Sequence, residues 1–253
     1  MKIFLGGALG RMGREVTAAA AEAQVEIVCG VDVAYTGQPS DYPIVTAFDQ
    51  ATQKADVLID FSRPSALPEL LQLARKEKMP TVLCATGYNE AELQMIEEAS
   101  REIPVFRSAN MSLGVNVLRH LVQEAARALG EDFDVEIVER HHRMKADSPS
   151  GTALMLYDSV KEATETLRQP VFGRYGRTAQ RQPGEVGIHA VRGGTITGEH
   201  EVCFYGDGEE LILTHRAEKR SLFARGALRA AAFLMDKPAG KYDMQDLIEE
   251  MLR

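Results

Sequence analysis

The chain has 253 residues, 45% apolar and 26% charged, with 29 basic against 37 acidic side chains and a net charge of −8. This ordinary globular composition excludes a disordered or fibrous chain and admits one large domain or two modest ones, while the acidic balance argues against nucleic acid as a partner. No apolar run reaches the ~18 residues of a membrane span, and the apolar start at Met1–Leu5 breaks at Gly6-Gly7, too early for a signal peptide. Cys29, Cys84 and Cys203 are odd in number and scattered, which points away from disulfides or a zinc knuckle and toward a soluble cytoplasmic protein.

The first part of the chain alternates strand and helix. Lys2–Leu5 is β-prone, Arg11–Ala23 is alanine-rich and helical, and Val25–Val31 is a β-branched run. Val57–Phe61 reads as a buried strand, and Pro64–Lys78 carries Leu67, Leu70, Leu71 and Ala74 on one helical stripe. Thr81–Cys84, Glu90–Ser100 and Pro104–Phe106 continue as strand, helix and strand, so βαβ units and a parallel sheet are expected.

The pattern changes after Asn110. Leu113–Leu129 is an amphipathic helix, Asp134–Arg140 alternates as a strand, and Thr152–Leu167 is helical. A basic loop from Arg168 to Gly184 leads to strands at Glu185–Val191, Glu201–Tyr205 and Leu211–Ala217, the last two joined by a Gly206-Asp207-Gly208 hairpin signal. Leu222–Met235 and Asp243–Leu252 are helices, the second with Asp243 at its N-cap. The expected fold is α/β: a Rossmann-type parallel-sheet domain, followed by an α+β domain with a mixed, largely antiparallel sheet.

Gly7-Ala8-Leu9-Gly10-Arg11-Met12-Gly13 lies between the first strand and the first helix. Glycines there let backbone N–H groups approach a pyrophosphate, and the helix N-terminus adds positive partial charge. An acidic partner for the adenosine ribose belongs about 20 residues on, at the end of the second strand. Asp32 stands 19 residues after Gly13. A bare βα turn without ligand is the competing reading; the register of strand, helix and acid favours a dinucleotide.

His141-His142-Arg143-Met144-Lys145 places four basic side chains in five residues of an acidic protein, at the end of a strand. Asp147-Ser148-Pro149-Ser150-Gly151-Thr152-Ala153 then opens a helix with N–H groups and hydroxyls suited to a carboxylate. A solvated basic patch is the bland alternative. A metal site is not expected, because adjacent histidines diverge and no H-x-x-x-H or carboxylate triad accompanies them. A nucleotide cofactor together with a proton-donor cluster points to hydride transfer onto an anionic, polarised double bond.

These motifs, with Glu139-x-His141-His142-Arg143-x-Lys145-x-Asp147-x-Pro149-Ser150-Gly151-Thr152-Ala153 and Gly198-Glu199-His200, resemble dihydrodipicolinate reductase across essentially the whole chain. The resemblance implies NAD(P)H-dependent reduction of 4-hydroxy-tetrahydrodipicolinate in diaminopimelate and lysine synthesis, by a cytoplasmic homotetramer. It implies a dinucleotide-binding domain at 1–111 completed by 221–253, and a substrate-binding and oligomerisation domain at 112–220. It further implies His141 as catalytic acid/base and Lys145 as proton donor, with His142, Gly151 and Thr152 holding substrate carboxylates. Gly7, Ala8, Leu9, Gly10, Arg11 and Met12 would cradle the pyrophosphate, and Asp32 the ribose. Cys84, Ala85 and Thr86 would line the cofactor, and Ala109, Asn110, Met111 and Ser112 the nicotinamide side.

The chain departs from the family pattern twice. Cys84-Ala85-Thr86-Gly87 stands where relatives commonly read Gly-Thr-Thr-Gly, so the first two positions act through backbone. Val33, not a basic residue, follows Asp32, so a 2′-phosphate lacks its usual cation and only Arg11 in the turn is near. NADH is therefore expected to serve at least as well as NADPH. Two other readings remain at this point: a Rossmann oxidoreductase of the amino-acid dehydrogenase type, and a non-catalytic nucleotide sensor.

Overall fold

The computed structural model describes residues 1–164 and 168–252. In chain order the elements begin with β1 (Lys2–Gly6), α1 (Arg11–Glu22), β2 (Glu26–Val31), β3 (Ile44–Val45), β4 (Val57–Asp60), α2 (Leu67–Lys76), β5 (Thr81–Leu83), α3 (Glu90–Ser100) and β6 (Pro104–Arg107). They continue with α4 (Leu113–Leu129), β7 (Asp134–His141), α5 (Gly151–Ala163), β8 (Gln169–Val171), β9 (Glu185–Arg192), β10 (Gly198–Tyr205) and β11 (Glu210–Ala217). The chain closes with α6 (Ser221–Leu234), β12 (Gly240–Tyr242) and α7 (Met244–Met251). Among the described residues no helix is long and apolar enough to cross a membrane. Two compact units result: Met1–Leu113 with Arg220–Arg253, and Gly114–Lys219.

The first unit holds a seven-stranded sheet in the order β12-β6-β5-β4-β1-β2-β3, parallel throughout. Its strands are apolar at successive positions because both faces are covered. Ile3, Leu5, Val57 and Ile59 point into a layer with Val16, Ala19 and Ala20 of α1 and Ala224, Ala227, Ala230 and Ala231 of α6. Phe4 and Leu58, one residue out of phase, point the other way, into a layer with Leu70, Leu71 and Ala74 of α2 and Ile96 of α3. The C-terminal segment completes the sheet through β12 beside β6. Asp243 caps α7, accepting from the Gln245 and Asp246 N–H groups.

The second unit holds a mixed sheet in the order β11-β10-β7-β9-β8. β7 pairs antiparallel with β10 and β10 with β11, and these long ladders outweigh the parallel pairings of β7 with β9 and the short β8 with β9. One face packs under α4 and α5: Val135 and Ile137 meet Leu118 and Val122 of α4 and Leu156 and Val160 of α5. The hairpin turns at Gly206–Gly208, where Gly206 N–H donates to Glu209 O.

Several element bounds differ from the sequence expectation, with consequences for the site. β7 and β9 each run one residue further, to His141 and Arg192, and these two residues face each other in the ladder. β10 starts at Gly198, so His200 lies on a strand opposite Glu139. The expected helix from Pro64 splits into a 3-10 turn at Pro64–Ala66 and then α2. β3, β8 and β12 are two or three residues long, too short to carry a periodicity of their own. The helix expected to reach Leu167 ends at Ala163 with Thr164 extended; positions 165–167 lie outside the described residues.

Candidate active site

In the first unit the turn after β1 is shaped by two glycines. Gly7 adopts φ +72°, a left-handed conformation that favours glycine. A Cβ on Gly13 would fall 2.2 Å from Gly7 O, so only glycine lets α1 start this close to the turn. Gly10 is the N-cap of α1 and supplies no capping side chain, so the first-turn N–H groups have no side-chain acceptor at the cap. Asp32, just beyond β2, accepts Leu9 N–H at 2.9 Å and Ala34 N–H at 3.0 Å, which fixes its carboxylate against the turn. Turn and acid border a cavity of about 410 Å³ whose lining includes Gly7, Gly10, Asp32, Phe48, Arg63 and Glu69. A cradle that Cβ atoms would fill, an uncapped helix N-terminus and an adjacent carboxylate fit a dinucleotide.

The other cofactor candidates follow neighbouring strands of the same sheet. Cys84-Ala85-Thr86 succeeds β5, with Cys84 N–H on Asp60 O at 2.9 Å. Cys84 and Ala85 are buried and Thr86 is exposed. Burial, and then Asp60, push the Cys84 thiol well up. Ala109–Ser112 succeeds β6, where Ser112 N–H donates to Asn110 Oδ1 at 2.9 Å in the turn that opens α4. Because the strands are parallel, all these loops emerge at one edge of the sheet, where open α/β sheets bind ligands. Asp60, at the end of β4 on that edge, is a buried carboxyl pushed up to about 6 by burial, although Ser62 N–H donates to it at 3.1 Å.

In the second unit, period-two alternation along β7 puts Val135, Ile137, Glu139 and His141 on the face covered by the helices. Glu139 is fully buried and His141 nearly so. Glu139 Oε2 accepts from His141 Nδ1 at 2.6 Å and Arg192 Nη1 at 2.7 Å; Oε1 accepts from Arg192 Nη2 at 2.6 Å and Ser150 N–H at 2.9 Å. His141 packs edge-on to His200 with ring centres 5.1 Å apart. Ser150 caps α5 by accepting Ala153 N–H, and its hydroxyl meets His200 Nε2 at 2.9 Å. His142 N–H donates to Ile196 O, Lys145 N–H donates to His142 O, and Lys145 Nζ pairs with Asp147 at 2.9 Å. Gly151 and Thr152 form the first turn of α5, its positive end.

Burial lowers the His141 pKa below the ordinary histidine value; Glu139 opposes that fall, while Lys145 and Arg192 add to it. His200 is driven to about 3, by burial first and then by His141, so it is neutral at physiological pH. Burial favours a protonated Glu139, yet Arg192, His141 and the Ser150 N–H together hold it below the usual carboxylate range. The cluster thus offers a neutral imidazole, an ammonium and a helix N-terminus beside one another, a set suited to an anionic substrate and proton transfer.

The dihydrodipicolinate reductase N-terminus family model matches residues 1–111, and the C-terminus model matches residues 114–248. The chain belongs to the dihydrodipicolinate reductase family. It is 49% identical over 251 residues to the 4-hydroxy-tetrahydrodipicolinate reductase of Caldanaerobacter subterraneus subsp. tengcongensis, covering 99% of both chains. It is 44% identical to the Clostridium tetani enzyme of that name, over 98% of this chain and 97% of the relative. The fold is similar to a dipicolinate-bound dihydrodipicolinate reductase from Paenisporosarcina sp. TG-14, at TM-score 0.78 and 22% identity over 96% and 97% of the two chains. An aspartate dehydrogenase from Thermotoga maritima shares the fold at TM-score 0.52 and 12% identity over 94% and 97%. Family membership, rather than fold, separates the chain from the amino-acid dehydrogenase alternative.

Within this family framework the structure brings the sequence candidates into two groups, one per unit. Gly7 to Met12, Asp32, Cys84 to Thr86 and Ala109 to Ser112 lie along the first sheet's edge. His141, His142, Lys145, Gly151 and Thr152 lie where β7 ends and α5 begins. Arg11, exposed in the turn, adjoins the cavity's Gly10, and a second exposed cation that sequence reasoning misses, Arg63, lines the cavity beside Asp32. Arg63 follows β4, whose carboxyl end neighbours that of β1, an adjacency only sheet order supplies. Sequence reasoning also misses Arg192 and His200 as site residues. The available signal for the network is Glu139, a carboxylate in the apolar phase of β7.

Proposed function

We propose that this protein reduces 4-hydroxy-tetrahydrodipicolinate to tetrahydrodipicolinate with loss of water, consuming NAD(P)H and a proton, in diaminopimelate and lysine synthesis. The observation that carries this reading is the 49% identity over 99% of the chain to a reductase of that name. A nucleotide sensor would give the paired imidazole and ammonium nothing to do. When bound, the dinucleotide contributes the hydride. Gly7 to Met12 would hold its pyrophosphate, Asp32 its adenosine ribose, and the loops at 84–86 and 109–112 its nicotinamide half.

The substrate is a dicarboxylate, so cations and helix N–H groups position it: His142, Gly151 and Thr152 take carboxylate oxygens. Reduction leaves an electron pair on the conjugated ring, and His141 Nε2 and Lys145 Nζ are the groups that stabilise and protonate it. Lys145 is held ready by Asp147 and must turn from that partner to reach substrate. The dipicolinate-bound neighbour supports a planar ring dicarboxylate as the ligand class.

The first unit is the dinucleotide-binding domain, and residues 112–220 form the substrate and oligomerisation domain. The sheet face turned away from α4 and α5 carries partly exposed Val191, Tyr205 and Ile212, which favours assembly of copies into a homotetramer. Three buried free cysteines suit a reducing cytoplasm. Mixing the protein with NADH and the condensation product of pyruvate and aspartate semialdehyde should give a fall in nicotinamide absorbance. A flat trace with both NADH and NADPH would overturn the reading.

A further inference from the structure

Beside the residues assigned to the reaction lies a buried ion pair with no assigned role, the Glu139 carboxylate and the arginine clamped on it. Glu139 occupies the strand phase of Val135 and Ile137, where a carboxylate is costly unless fully partnered. It has four donors: His141 Nδ1, two Arg192 nitrogens and Ser150 N–H. Arg192 also donates to Asp147 O at 2.8 Å, which ties the network to the segment carrying Lys145. An ionised carboxylate can only accept, so the nitrogen of His141 facing it carries a hydrogen. Nε2 is then the nitrogen left to exchange a proton, and Gly198 leaves room beside it, since a Cβ there would stand 3.1 Å away.

We propose that Glu139 and Arg192 are positioning residues of the reductase, Glu139 fixing His141 as the Nδ1–H tautomer and Arg192 balancing the Glu139 charge so that the imidazole can both take and release a proton. The inference rests on the proposed reaction, in which His141 handles that proton. A carboxylate alone beside an imidazole favours the imidazolium; a guanidinium bound bidentately to the same carboxylate draws that charge away. The direction of the His141 shift agrees, since burial with Lys145 and Arg192 outweighs Glu139. The titratable groups around His141 are Glu139 on its own strand, Lys145 and Asp147 on the following loop, Arg192 on β9, and His200 on β10 with His215 behind it on β11. His200 is neutral and Ser150 does not titrate, so Glu139, Arg192 and Lys145 set the charge that His141 meets.

The two positioning residues should therefore move the imidazole in opposite directions. In Glu139→Gln the limb of the pH profile belonging to His141 should shift to lower pH, and kcat should fall by about 10-fold or more. In Arg192→Gln the same limb should shift to higher pH. KM for the dinucleotide should stay within about twofold in both, because the altered groups belong to proton transfer. The same shifts are read without turnover from the His141 ring resonances of 15N-labelled protein, assigned with His141→Asn. In the unaltered protein those spectra should give Nδ1 protonated and Nε2 bare above the His141 pKa. Shifts in the same direction, no shifts, or an Nε2–H tautomer in the unaltered protein would overturn the proposal. Should Glu139→Gln fail to fold, the unaltered tautomer and the Arg192→Gln shift decide it. No turnover by the unaltered protein would count against the reaction, and the imidazole titration would still decide this inference.

Discussion

Asp32 Oδ2 accepts the Leu9 N–H at 2.9 Å, so the carboxylate at the end of β2 also braces the turn after β1. That placement yields a prediction about cofactor choice if the adenosine ribose sits beside it. A carboxylate accepts from a ribose 2′-hydroxyl and repels a 2′-phosphate, and the exposed Val33 beyond it offers no compensation. Arg63 on the cavity wall and Arg11 in the turn are the cations available to offset the repulsion, each contact worth roughly 0.5–1 kcal/mol or a few-fold in affinity. NADH should be used at least as well as NADPH, and Arg63→Ala should raise KM for NADPH more than for NADH. A strong NADPH preference that persists in Arg63→Ala and in Arg11→Ala would mean the ribose sits elsewhere. Titrations of both cofactors at low and moderate salt measure this.

Lys145→Ala removes a cation held 2.9 Å from Asp147 at the edge of the histidine cluster. If that cation acts on the reacting ring, kcat should fall about 10²-fold or more, with dinucleotide affinity, read by fluorescence, nearly unchanged. His141→Ala should lose activity comparably and flatten the pH profile on the acid side of neutrality, since its pKa lies below the ordinary histidine value. Full activity in either variant would remove that residue from the chemistry.

Thr152→Val keeps the shape of the first turn of α5 and deletes its hydroxyl. Ser150, the N-cap, serves Ala153 N–H and His200, and Thr152 in the same turn is the residue proposed to take a substrate carboxylate. KM should rise with the melting temperature preserved, and pyridine-2,6-dicarboxylate should bind more weakly as a competitive inhibitor. Unchanged KM and inhibitor affinity would assign the turn to helix capping alone.

Asp60 yields a prediction about stability. Its carboxyl is raised from the ordinary 3.8 to about 6 by burial, a difference worth roughly 3 kcal/mol. A group raised in the folded state contributes fully below its unfolded pKa, and that contribution fades as pH climbs through about 6. Asp60→Asn cannot ionise, so the urea midpoint of the variant should gain on the parent as pH rises from 4.5 to 7.5. A constant gap across that range would show that Asp60 is not desolvated in the folded protein.

The parallel sheet was legible because its strands are buried on both faces and its helices carry clear stripes, as in Leu67, Leu70, Leu71 and Ala74. The glycine turn and Asp32 were legible because a tight strand–turn–helix step followed by the next strand's end imposes fixed spacing. The basic cluster was legible because His141, His142 and Lys145 are local in sequence. Short β3, β8 and β12 were not, since two or three residues carry no period and take their structure from the neighbouring strand.

Sequence alone therefore determined the layout of α/β and α+β units, the glycine turn with its acidic partner Asp32, and the local cluster of basic residues at 141–145. All of these are written in local patterns of spacing and polarity. Tertiary structure decided which distant residues complete them. Arg63 joins the cavity beside Asp32 because β4 lies beside β1, and Arg192 and His200 join His141 because β9 and β10 flank β7. Strand order is set by the burial of whole faces, a property of the folded chain that no single segment carries.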